Sequence, residues 1–440
     1  MAAVPNSADS GPDTGLLRRA LDGARGYLAS VSLFSHNARL YLIGSFLVGF
    51  NFSVFQLLLN LYFKELGFVE GQIGWIQSSR SLGMTLVAIP AAILLSRVRL
   101  KPVLLVCAAL MALFSFGLTS FTQFVYLVAF GFLAGVSFSF FRVVSGPFYM
   151  RNSGRTERTH LFSFSYATYL LAGMIGSYGA GSMVTLIGEH TGNMVLGYQY
   201  TMYAAIVIST LAMIPFSMIK ASAPSPEESR IELNRQKLKV RGAFYFKITF
   251  VNFLVGLGAG LIIPFLNLYF RDRFGLNPDQ IGLYYILLSA AMLVGTLSGP
   301  FLTPRFGLVR TVVVTELVSI PFMLMLAYTY NLYLAVPAFI VRGALMNMGV
   351  PIANNFAMEL SDKREQGLVN ALLMISWTGS WTVAVAIGGH IIEDYGYTVV
   401  LNVSAGLYIV SSVVYYLFFH GAEKRTPGGT GWTITEGRTA

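Results

Sequence analysis

Charge is what this chain has least of. Of its 440 residues only 11% are Asp, Glu, Lys or Arg, against about 25% in ordinary soluble domains. A soluble protein of this size could not cover its surface with so few charges, so lipid is expected to be its main solvent. The single cysteine, Cys107, sits in an apolar stretch, which excludes a disulfide framework and a thiolate metal site. The five histidines (His36, His160, His190, His390 and His420) have no metal-ligand spacing, and no Gly-Lys-Ser/Thr loop is present to hold a nucleotide phosphate. No paired carboxylates and no Ser/His/Asp set fall within the apolar stretches, so neither enzymatic catalysis nor a cofactor is expected. The first 30 residues carry Asp9, Asp13, Arg18, Arg19 and Asp22 and lack the apolar core of a signal peptide. Leu17, Leu21, Ala24 and Leu28 recur there at helical spacing, as in a short helix lying on a membrane surface.

What the chain does have is apolar length. A span needs about 20 mainly apolar residues to cross roughly 30 Å of hydrocarbon. Twelve stretches qualify: 40–63, 72–95, 102–121, 124–149, 160–186, 199–220, 245–270, 280–303, 309–329, 332–354, 367–391 and 397–419. They divide the chain into a tail (1–39), a six-span half (40–220), a charged linker (221–244), a second six-span half (245–420) and a C-terminal tail (421–440) that reads as flexible. With the N-terminus cytoplasmic, 24 of the 30 Lys and Arg fall on the inner side and only Lys64, Arg271 and Arg273 in outer loops. That asymmetry puts both termini in the cytoplasm and accounts for the net charge of +10 without any nucleic acid. A bacterial inner membrane is the expected location and a monomer the expected state.

The two halves also repeat each other. Residues 60–74 read NLYFKELGFVEGQIG and residues 267–282 read NLYFRDRFGLNPDQIG. Further along, Gly135, Met150 and Glu157 return 208 residues later as Gly343, Met358 and Glu365. A repeat this long is no solenoid unit, whose period runs to about 50 residues; it is the length of half a membrane carrier. The small residues Gly135 and Gly343 are read as sites of close helix packing.

Twelve spans in two related halves, a long central linker and basic loops after the second span of each half resemble the major facilitator superfamily. Those loops read AAILLSRVRLK (91–101) and PFLTPRFGLVR (300–310). Arg97 and Arg305 match the superfamily's basic position and are expected to belong to gating loops. The acid of that motif is missing from both copies, replaced by Ser96 and Pro304. The resemblance implies an all-α integral membrane fold of 12 transmembrane helices in two pseudo-symmetric halves. It also implies alternating access to a central cavity lined by spans 1, 4, 7 and 10, with 2, 5, 8 and 11 contributing.

Charges inside spans are costly and point to function by default. Arg80 lies about 13 Å from the outer end of span 2, too deep to snorkel comfortably. Arg142 on span 4, Arg342 on span 10 and Glu316 on span 9 are the other candidates. Glu316 and Arg342 are close in depth and are expected to form an ion pair, structural or coupled to transport. Three Arg against one Glu leave the cavity net positive, which favours an anionic or amphiphilic solute that Arg can grip bidentately. Gln77, Asn51, Gln56, Tyr166, Asn252, Tyr285, Asn347, Trp377 and Trp381 complete the candidate lining. The reading that results is a secondary transporter of a small organic solute. An efflux carrier for apolar compounds and a non-transporting membrane sensor or scaffold are the alternatives.

Overall fold

The computed structural model describes residues 34–153, 155–220, 241–361, 365–425 and 432–434. The helix expected over 17–28 and residues 221–240 of the linker lie outside them. Among the described residues eleven helices are long and apolar enough to cross a membrane. In order they are α1 (His36–Glu65), α2 (Glu70–Leu95), α3 (Leu100–Ser120), α4 (Phe124–Asn152), α5 (Arg155–Thr191) and α6 (Met194–Met218), followed by α7 (Gly242–Phe274), α8 (Pro278–Phe306), α9 (Leu308–Tyr328) and α10 (Leu332–Glu359). The last, Gln366–Phe419, runs 54 residues. At 1.5 Å per residue it would be about 80 Å long, more than two bilayer cores. It is divided at Gly396, whose φ of 81° no side chain tolerates well, into α11 (366–395) and α12 (397–419). The crossings therefore number twelve.

The tail after α12 is not wholly flexible. Strand β1 (Glu423–Arg425) pairs antiparallel with β2 (Trp432–Ile434). Glu423 is buried, and its carboxylate accepts from the backbone N–H of Leu308 and Val309 at 2.8 and 3.1 Å. Those are orphan donors in the first turn of α9, where a carboxylate is stabilising. The cap on α9 thus comes from the segment that follows α12.

Two ends of the bundle differ. At the end bearing residues 66–69 and 275–277, one apolar core spans both halves, including Leu58, Tyr62, Ala180 and Met202 from the first and Leu268, Ile281, Ala338 and Val385 from the second. At the opposite end each half keeps its own core. One gathers Tyr41, Leu104, Phe148 and Phe216, the other Phe244, Val309, Phe356 and Phe419. Hydrogen bonds between the halves whose partners are both described all lie at the joined end.

The repeated phrase builds that joined end, and its Asn, Tyr, Gln and Gly make matching contacts in the two copies. Asn60 Nδ2 donates to the Pro264 carbonyl at 2.6 Å, and Asn267 Nδ2 donates to the Leu57 carbonyl at 2.7 Å. Leu57 and Pro264 are separated by the same 207 residues as the two asparagines, so the pair is reciprocal across the halves. The tyrosines work within each half. Tyr62 donates to the Thr119 carbonyl and Tyr269 to the Leu326 carbonyl, at 2.7 and 2.8 Å. Gln72 and Gln280 accept from the backbone N–H of Val69 and Asn277, the reach-back half of a capping box at the start of α2 and of α8. Gly74 lets α2 approach the Val385 carbonyl on α11, and Gly282 lets α8 approach the Ser177 carbonyl on α5. A Cβ at these positions would sit 2.9 and 2.6 Å from those oxygens, so only glycine fits.

Candidate functional site

Below the joined end, α1, α2, α4 and α5 of the first half bring cations and rings together. Gly83, Gly131 and Gly135 allow α2 and α4 to pack backbone against backbone, and a Cβ on Gly135 would lie only 1.9 Å from the Arg80 carbonyl. This close approach sets Arg80 inside the half. Its guanidinium lies 5.0 Å from the centroid of Phe52, which in turn stacks on Phe138 with centroids 4.3 Å apart and planes at 8°. A cation over an aromatic face contributes roughly 2 kcal/mol or more when desolvated. Arg80 has no hydrogen bond or ion pair to any described residue.

Asn51, Phe52, Arg80, Ser115, Ala134 and Phe138 line a recess with about 20 Å³ of room for a water's centre. That holds roughly one water. The recess has room for no more than a small terminal group of a ligand. The Oδ1 of Asn51, buried in the same wall, also lacks a described partner. Tyr169 on α5 lies within electrostatic reach of both Arg80 and Arg142. Phe52 and Phe138 are the members that sequence reasoning missed, since nothing in their spacing sets them apart from packing rings. Tyr169 shares a helical stripe with Tyr166 and Gly173, which marks it as candidate lining in the sequence. Tyr166 itself is half exposed.

Gln77 turns to the joined end, where its Nε2 donates to Asn60 Oδ1 at 2.5 Å. Gln56 is the one exposed position in the buried run from Ser53 to Phe63 on α1. In the second half Trp377 and Trp381 lie 5.9 Å apart on α11, partly exposed. Tyr285 packs against Phe339 at 5.6 Å. Two other candidates have their amides engaged elsewhere. Asn252 Nδ2 donates to the Leu373 carbonyl and ties α7 to α11, and Asn347 Nδ2 donates back to Gly343 on its own helix.

The expected ion pair between Glu316 and Arg342 is not formed, and Arg342 is buried against α12. Arg342 is 4% exposed and donates to the Tyr408 hydroxyl of α12 at 3.0 Å, its guanidinium 5.6 Å from that ring's centroid. Glu316, 6% exposed, accepts instead from Ser412 of α12 at 2.7 Å. The two charges are thus joined through α12 and not directly, because Arg342 points outward from the centre toward a peripheral helix. Arg97 and Arg305 are exposed at the opposite end, their side chains without a hydrogen bond or ion pair to a described residue. The loop of Arg97 is held instead by Arg151, which donates to the Leu95 and Val98 carbonyls.

Comparison with known proteins agrees with this architecture. A 173-residue segment is 22% identical to Sugar efflux transporter A of Escherichia coli (strain K12), covering 39% of this chain and 44% of that protein. The chain thus spans less than half the length of the curated relative it matches. The structure of a bacterial homologue of the human lysosomal transporter Spinster, inward-facing and occupied, superposes with a TM-score of 0.73 at 12% identity, covering 89% of this chain and 96% of that one. The nucleoside transporter NupG superposes with a TM-score of 0.71 at 15% identity, covering 88% and 99%. Such identities carry the fold alone. The sequence itself matches the Major Facilitator Superfamily over residues 41–246 and 248–434, one match for each half, and the chain belongs to that superfamily of membrane transporters.

Proposed function

We propose that this protein is a secondary active transporter that moves a small organic anion or amphiphile by alternating access between its halves. The observation that carries the reading is Arg80: a cation midway along a membrane-spanning helix whose guanidinium rests on the face of Phe52 with no described hydrogen bond or ion pair. Such a group is expected to serve a ligand or a wet cavity. Arg142 and Tyr169 stand nearby, and Asn51 Oδ1 supplies an unused acceptor. An acid group reaching Arg80 would form charge-assisted hydrogen bonds that the protein leaves unmade.

On this reading the open end faces the cytoplasm. The Lys- and Arg-poor loops sit at the joined end, and the positive-inside rule turns that end outward. Both termini are then cytoplasmic, and the state is inward-open. A thermal-shift screen of purified protein against anionic, neutral and cationic solutes tests the charge preference, followed by counterflow of the hits in reconstituted vesicles. Stabilisation by anions that disappears in Arg80→Ala is expected, whereas stabilisation by cations alone would sink the reading. A second reading, carbohydrate efflux, is favoured by the partly exposed Trp377–Trp381 pair, whose flat faces suit sugar rings, and by the partial relative. It predicts that Trp381→Ala abolishes counterflow of neutral sugars while Arg80→Ala leaves it intact.

A further inference from the structure

The two asparagine clamps are alike in their reach across the halves and unlike in what holds them. Asn267 keeps its Oδ1 on the backbone N–H of its own neighbour Leu268, at 2.9 Å. Asn60 has its Oδ1 taken by Gln77 of α2. The repeat partner of Gln77 is Tyr285, which packs on Phe339 and takes no part in the second clamp. Gln77 and Arg80 are three residues apart, neighbours on one face of α2. The clamp's target, Pro264, lies in the short 3-10 turn Ile263–Phe265 where α7 changes course. A continuous line therefore runs from the Arg80 face of α2 through Gln77 and Asn60 to the bend of α7 in the other half.

We infer that Gln77 is a positioning residue for transport: by holding the Asn60 amide in its cross-half orientation it links the Arg80 site to closure of the joined end. The inference rests on the transporter reading for its purpose, though not for its test. With Gln77 donating to Oδ1, the Asn60 Nδ2 has one orientation, aimed at Pro264. Without that donor the amide can turn, and the Pro264 carbonyl loses a buried partner. Group movement at Arg80 shifts the same face of α2 and so loads or releases the clamp.

The test uses full-length protein in detergent with Cys107→Ser and a reporter, Ser177→Cys, at the α5 surface that packs on Gly282 and is 8% exposed. Maleimide labelling of that cysteine reads opening of the joined end in either membrane orientation. Gln77→Glu keeps the shape and removes the donor. It is expected to raise the labelling rate by about fivefold, as Asn60→Ala does, with little loss of melting temperature. Added to Asn60→Ala it should raise the rate no further, because both act on one bond. A rate unchanged by Gln77→Glu, or an effect that multiplies with that of Asn60→Ala, would overturn the inference. A fall in melting temperature with no change in labelling would overturn it too. Were counterflow of every solute absent while the labelling pattern held, the transport reading would fail and only the control of joined-end closure by Gln77 would stand.

Discussion

Arg80 in the first half rests against one ring with no hydrogen-bonding partner described, while Arg342 in the second is bonded to Tyr408 and enclosed near Glu316. The repeat aligns neither with an arginine: Leu288 stands opposite Arg80, and Ala134 opposite Arg342. Ala134 in fact lines the recess of Arg80. Two halves of one scaffold have thus placed a buried cation at different points of the same two-helix contact and given it different surroundings. One cation is held by a hydrogen bond within its own half, and removing it should harm the fold. The other has no such bond, and removing it should harm the fold less than what it is kept for. Comparing Arg342→Ala with Arg80→Ala tests this difference most directly. Taking out Arg342 removes its charge-assisted bond to the Tyr408 hydroxyl and leaves a void in the packed interior, and is expected to cost roughly 3 kcal/mol, seen as a clear drop in melting temperature and folded yield. Arg80→Ala should cost only the lost contact with Phe52, about 1–2 kcal/mol, while abolishing stabilisation by anions. Equal losses of stability would remove the distinction.

The glycines at the helix contacts offer a second comparison. Gly135 and Gly343 are repeat partners, yet a Cβ would meet different things. At Gly135 it strikes the Arg80 carbonyl, which cannot move without shifting α2. At Gly343 it meets the Cδ1 of Leu288 at 2.1 Å, the far end of a flexible side chain. Gly135→Ala is therefore expected to cost roughly 2 kcal/mol and to displace Arg80, lowering anion stabilisation as well as melting temperature. Gly343→Ala should be tolerated within about 1 kcal/mol, as Leu288 changes rotamer. Melting curves of the two variants with and without an anionic hit separate these outcomes.

How much of this was legible in the sequence follows from what each feature depends on. The twelve crossings, the halves and the break between spans 11 and 12 depend on local apolarity and on Gly396, and all were readable. The NLYF and QIG repeats were visible as a pattern, and their location at the joined end agrees with the loop positions. Their tasks were not visible, because the Asn60 and Asn267 bonds depend on backbone carbonyls more than 200 residues away. Direction around a helix was the weakest point. Depth alone made Arg342 and Glu316 look like partners, but which neighbour a side chain faces is decided by tertiary packing, and both turned to α12. The Glu423 cap on α9 had no sequence signal at all, since nothing local ties a tail residue to a distant helix start.

The smallest expected difference lies within the repeat itself, between Tyr62→Phe and Tyr269→Phe. Each change deletes one hydroxyl and leaves the ring, so packing is conserved and only a hydrogen bond to a buried carbonyl is lost. The carbonyls are not equally provided for. Leu326 also accepts from Arg273 at 2.9 Å, so it keeps a charged donor when Tyr269 loses its hydroxyl. Thr119 has only Gln199 as a further donor, at 3.5 Å, and the same Gln199 Nε2 donates to the Tyr62 hydroxyl at 3.0 Å. Tyr62→Phe therefore leaves an acceptor poorly met and takes away an acceptor from Gln199. It is expected to cost about 1–2 kcal/mol, and Tyr269→Phe about 0.5 kcal/mol. Melting temperatures of the two variants in one detergent decide the order. If Tyr269→Phe proved the more costly, Arg273 would not be supporting the Leu326 carbonyl. The second copy of the repeat would then depend on its tyrosine as fully as the first.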